Sequence, residues 1–62
     1  MKNDRLFQIV YLLLDKGTMT APELARALEV SVRTIYRDID ALSLAGVPVY
    51  ATQGKNGGVS LL

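Results

Sequence analysis

Ser31-Val32-Arg33-Thr34-Ile35-Tyr36-Arg37-Asp38 is the stretch on which the reading of this chain turns. Ser31 is a good N-cap, and Val32, Ile35, Ile39 and Leu42 recur on one side at helical period. A helix is therefore expected over residues 31–45, stopping at Gly46. Its outer side carries Arg33, Thr34, Arg37 and Ala41, with Tyr36 on the flank. Arg33 and Arg37 stand one turn apart and repel each other by ~0.2–0.5 kcal/mol. They also sit near a helix N-terminus, where the dipole disfavours cations. Selection for stability alone would place Asp or Glu there, and local rules tend to be broken at functional sites. A phosphate backbone would turn both penalties into attractions.

The residues before this helix supply a brace for it. Thr20 and Glu23 have capping-box spacing, and Pro22 falls in the first turn, where its missing N–H is harmless. The second helix then runs to about Leu28 and buries Leu24, Ala25 and Leu28. Glu29-Val30-Ser31 is a short turn between the two helices. Further back, residues 3–16 read as a first helix. Asn3 is its expected N-cap, Asp4 suits the first turn, and Gly17 stops it. Leu6, Ile9, Val10 and Leu13 form its buried stripe, widened by Phe7 and Leu14. Arg5, Gln8 and Asp15 mark its solvent face. Leu12 falls in that polar arc and Tyr11 at its edge, more apolar surface than a three-helix core requires. Scattered surface hydrophobes account for this, and so does a contact face for a second subunit or another domain. Thr18-Met19 is placed to add a short strand to a later sheet.

After Gly46 the pattern changes. Residues 47–52 read as a strand with Pro48 near its start, residues 53–58 as a glycine-rich loop, and residues 59–62 as the returning strand. The loop carries Lys55 at its tip. Gly54, Gly57 and Gly58 are expected to serve turn geometry.

Composition narrows the classes. Sixty-two residues make one small domain, with a core resting on aliphatic packing. There is no cysteine and no histidine, so the commonest metal ligands, the thiolate nucleophile and the commonest general base are missing. No cofactor and no enzyme activity are expected. Net charge is only +1, from seven basic and six acidic residues, so a case for nucleic acid rests on where charges sit. The apolar run from Leu6 to Leu14 faintly resembles a secretory signal. Gln8 interrupts it, Asp4 sits in the would-be basic region, and no small-residue cleavage site follows. It is also short of the ~20 apolar residues of a membrane span. A cytoplasmic protein with no membrane partner is expected.

Leu24-Ala25, Val30-Ser31, Thr34-Ile35 and Arg37 resemble the helix-turn-helix pattern of bacterial repressors. Ala25 is small where the two helices cross, and Val30 plugs the turn into the core. The position four after Ala25, often glycine in that motif, is Glu29 here, which carries a steric cost if its φ is positive. The run from Ser31 to Leu42, with Gly46-Val47-Pro48-Val49 and Gly57-Gly58-Val59, looks like the N-terminal domain of bacterial WYL-domain, DeoR-related transcription regulators. The repressor domain of biotin-protein ligase is similar. This resemblance implies a mainly α domain with a small β-hairpin, a winged helix-turn-helix of three helices plus wing over residues 1–62. It implies the N-terminal part of a longer regulator, pairing as a homodimer through regions outside these residues. Its partner is double-stranded DNA, read sequence-specifically, with helix 31–45 in the major groove and hairpin 47–62 as wing.

Chemistry and resemblance together give the candidate DNA-binding residues. Arg33 and Arg37 can bridge guanine O6 and N7, or a phosphate. Thr34 suits a phosphate or a thymine methyl, Tyr36 a phosphate through its hydroxyl. Ser31 lies with the first helical N–H groups, and Lys55 suits phosphate or the minor groove. Each has a plainer role: Arg37 pairing with Asp40, Tyr36 at the core edge, Thr34 capping with Ser31, Lys55 merely solvated. The competing function is a winged-helix protein-interaction module, which an apolar outer face on the third helix would favour.

Overall fold

The computed structural model describes residues 2–52 and 57–61, with side chains from Asp4 onward. The element order is α1 (Lys2–Lys16), α2 (Ala21–Leu28), α3 (Val32–Leu44), β1 (Val49–Thr52) and β2 (Gly58–Leu61). Three helices followed by a two-stranded antiparallel hairpin are consistent with a winged helix.

Local chemistry sets the helix ends. At α2, Thr20 accepts from the Glu23 N–H at 3.1 Å and the Glu23 carboxylate accepts from the Thr20 N–H at 2.8 Å. Two orphan donors of the first turn are thereby satisfied. Those bonds favour the charged carboxylate, so Glu23 titrates below its ordinary value, chiefly through the backbone N–H of Thr20. Ser31 caps α3 by accepting from the Thr34 N–H at 3.1 Å. At the other end of α3, Gly46 takes φ +90. Its N–H reaches Ser43 O at 3.1 Å and that of Val47 reaches Leu42 O at 3.0 Å, a Schellman closure. Glu29 ends α2 with φ 58 and ψ 45, so the steric cost that a positive φ would carry there applies. The Glu29 and Val30 N–H groups both reach Ala25 O, so the chain reverses within two residues and delivers Ser31 to the start of α3.

The core lies where the three helices and β2 meet. Ile9 and Leu13 of α1, Ala21, Leu24 and Ala25 of α2, Ile35, Ile39 and Leu42 of α3, and Val59 of β2 are buried. Full burial of a side chain such as Ile9, Leu24 or Ile35 is worth ~1.5–3 kcal/mol each. β1 and β2 pair in register from Val49 opposite Leu61 to Thr52 opposite Gly58. Of the strand expected at Thr18-Met19, a single bridge forms: Met19 and Val59 exchange N–H···O bonds of 3.1 and 2.6 Å. The Thr18 and Ser60 hydroxyls meet beside that bridge at 2.6 Å.

Several expectations are corrected. α1 begins at Lys2, so Asn3 lies within the helix rather than before it. Phe7 and Leu14 do not widen the buried stripe; they are 74% and 70% exposed, on an open groove whose other wall is Ala27 and Leu28 of α2. Leu12, placed in the polar arc, is half-buried against the core. β1 starts at Val49 rather than residue 47, because the Val49 N–H bonds to Val47 O at 2.8 Å and folds the chain around Pro48. Gly58 serves close packing rather than a turn: it lies in β2, and a Cβ there would stand 2.9 Å from Met19 O. Gln53 to Asn56, including Gly54 and Lys55, fall outside the described residues.

Candidate nucleic-acid interface

α3 presents two different faces. Ile35, Ile39 and Leu42 are buried, and Val32 is half-covered at the first turn. Arg33, Tyr36, Arg37 and Asp40 are exposed. Among the described residues, neither Arg33 nor Arg37 takes part in an ion pair or side-chain hydrogen bond; Arg37 does not close on Asp40. Two guanidiniums one turn apart are thus held on a rigid helix with their donors uncommitted.

Ser31 and Thr34 sit beside them at the helix start. The Ser31 hydroxyl accepts from the Thr34 N–H and donates to Thr34 Oγ1 at 3.0 Å. Thr34 is therefore a capping partner, and its own hydroxyl proton still points to no acceptor among the described residues. Tyr36 is 53% exposed and lines an open cleft with Thr20, Ala21 and Pro22 of the α2 start and Ala51, Thr52 and Gly57 of the hairpin. That places it between helix and hairpin, rather than in the core. Ser31, Arg33, Thr34 and Arg37 share one end and outer side of α3, with Tyr36 at its flank; Lys55 lies outside the described residues.

One contact beside this face was missed by sequence reading. Arg5, assigned to the solvent face of α1, crosses to α3 and pairs with Asp38. Its Nε donates to Asp38 Oδ2 and its Nη2 to Oδ1 at 3.1 Å. Asp38 is 2% exposed, Arg5 26%. The hydrogen bond to Asp38 raises the Arg5 pKa above its already high ordinary value. A signal was available: Asp38 stands three residues after Ile35 and four before Leu42, so the helical period sets it at the edge of the buried stripe. A carboxylate there needs a cationic partner.

Beside the pair, Arg5, Thr34, Arg37, Asp38, Asp40, Ala41 and Leu44 line an open cleft of ≈ 520 Å³. On the side of α1 turned about 200° from Arg5 by the helical period, Phe7, Tyr11 and Leu14 stand exposed. They form an apolar groove of ≈ 590 Å³ with Leu28 and Ala27 of α2. No helix among the described residues is long and apolar enough to cross a membrane.

A family model described as an HTH domain matches residues 5–60. The chain is 48% identical over 62 residues to an uncharacterized HTH-type transcriptional regulator, YobV, of Bacillus subtilis (strain 168). That match takes in 100% of this chain and 20% of the relative, so the chain spans about a fifth of the length of the curated protein it matches. No solved structure matches the chain.

Proposed function

The chain belongs to this family of HTH domains, and we propose on that premise that it binds double-stranded DNA sequence-specifically in bacterial transcription regulation. The observation that carries the reading is the outer face of α3, where Arg33 and Arg37 are exposed and, among the described residues, unpaired. In this reading α3 enters the major groove and α2 braces it. Arg33 and Arg37 contact bases or phosphate, Thr34 donates its hydroxyl to phosphate, and Ser31 with the first N–H groups of α3 binds backbone oxygens. Tyr36 reaches phosphate from the flank. The hairpin acts as wing, with Lys55 assigned to it on charge and sequence position alone.

Residues 1–62 act in this reading as one winged helix-turn-helix domain, the N-terminal part of a longer cytoplasmic regulator of the WYL-domain, DeoR-related kind. Homodimerisation comes from outside these residues, because one small module makes few phosphate contacts and helix-turn-helix proteins commonly pair over two half-sites. A protein-contact role has one observation in its favour, the exposed Phe7, Tyr11 and Leu14. It involves a different side of α1 from the one facing α3, so it is compatible with DNA binding. Selection of duplexes from a random pool tests the proposal. Wild type should enrich a defined sequence that the Arg33→Ala and Arg37→Ala variants enrich poorly. No enrichment by wild type would refute sequence-specific binding.

A further inference from the structure

We propose that Arg5 is a phosphate-binding residue, set in position by Asp38, so that the DNA-binding surface draws on α1 as well as α3. This rests on the DNA-binding reading above. Asp38 is buried, and both of its oxygens are taken by Arg5. A guanidinium carries five N–H donors in a rigid plane, and this fork occupies the Nε and Nη2 edge alone. Nη1 has no acceptor among the described residues. Because the group is planar, its remaining N–H groups point away from the carboxylate, and Arg5 lines an open cleft together with Thr34 and Arg37.

The pairing does two things for such a contact. It fixes the rotamers of a long side chain on folding, so that ordering is not left to be met on binding. It also offsets part of the cation's charge, so directed hydrogen bonds, rather than net charge, carry the grip on the anion. Asp40 lines the same cleft and repels an anion, which sets the phosphate beside Thr34 and Arg37 instead. The three groups then converge from two helices, and a phosphate held between them fixes the angle at which α3 lies in the groove.

The test uses a duplex enriched from the random pool, with one neutral methylphosphonate at a time replacing a backbone phosphate. Each duplex is titrated with wild type, Arg37→Ala and the double variant Arg5→Met/Asp38→Leu. The double variant leaves net charge unchanged, and exchanging a buried ion pair for apolar residues is often neutral or stabilising. Arg5→Gln/Asp38→Asn is a second replacement, read in the same way if the first does not fold. At one phosphate the neutral substitution should weaken wild type by about tenfold or more, the usual worth of a charge-assisted hydrogen bond, and weaken the double variant severalfold less, since only Thr34 and Arg37 still hold that phosphate. If every methylphosphonate weakens wild type and double variants alike, the pair is internal scaffolding only and the proposal is overturned. Failure to enrich any duplex would instead overturn the DNA-binding reading itself. An enriched duplex that responds to Arg37→Ala but never to Arg5 would overturn the Arg5 proposal alone.

Discussion

Glu29→Gly should stabilise the domain. Glu29 is exposed and holds φ 58 and ψ 45 where the chain leaves α2. A side chain in that left-handed conformation costs ~1–2 kcal/mol from the approach of Cβ to the next carbonyl. Glycine removes the clash but adds freedom to the unfolded chain, which takes back ~0.4–1 kcal/mol. The net gain is ~1 kcal/mol, a rise in Tm of ~4–8 °C for a domain this small. Glu29→Ala is the control, because it removes the carboxylate from the negative end of α2 while keeping the Cβ. Thermal and urea melts of the three proteins separate backbone strain from charge. Glu29→Gly should melt above Glu29→Ala. If the two melt together, or glycine melts lower, the strain assigned to this turn is not there.

Gly58→Ala should destabilise by ~1–3 kcal/mol, since the new methyl meets Thr18 Cγ2 at 2.8 Å and Met19 O at 2.9 Å; urea midpoints measure it. The Glu23 carboxyl is held below its ordinary value of 4.5, so its contribution is full above that pH and lost as pH falls through the lower folded value. Glu23→Gln should therefore show a shallower loss of Tm than wild type as pH is lowered below about 4.5, and parallel curves would remove the capping box from the acid response. The isolated chain should sediment as a monomer or loose dimer at micromolar concentration. Its exposed apolar groove is lined by eight residues of α1 and α2, short of the ~20–30 residues per side of a stable interface. A tight dimer would show that Phe7, Tyr11 and Leu14 already supply one.

Helix ends were legible because short-range chemistry decides them. Thr20 with Glu23, Ser31, Gly17 and Gly46 each act within four residues, and each ends or begins a helix where expected. The glycine-to-glutamate departure at residue 29 was legible for the same reason. Contacts set by packing were less so. Residues 5 and 38 are 33 apart, and periodicity on α1 alone could not say that α3 would bring a buried carboxylate to Arg5. Phe7 and Leu14 carry the signature of core, but which flank of an apolar stripe is covered depends on where the neighbouring helices lie. Gly58 has a φ unlike that of a turn glycine, and its reason for being small is the backbone of Met19, brought in by the sheet. Of the candidate site, the arginines on the outer face of α3 could be read from sequence, and the pairing of Arg5 with Asp38 beside them could not.

In the proposed reading the outer face of α3 binds DNA while its inner face holds the fold. It is tested most directly by titrating the enriched duplex with wild type and with Arg37→Ala, following melting of both proteins in parallel. Among the described residues Arg37 makes no side-chain hydrogen bond or ion pair, so Tm should stay within a few degrees, and loss of the i, i+4 repulsion with Arg33 works slightly in its favour. Affinity should fall by ~1–3 kcal/mol, about five- to 150-fold, the worth of one bidentate base contact. Unchanged affinity with unchanged melting would contradict the account.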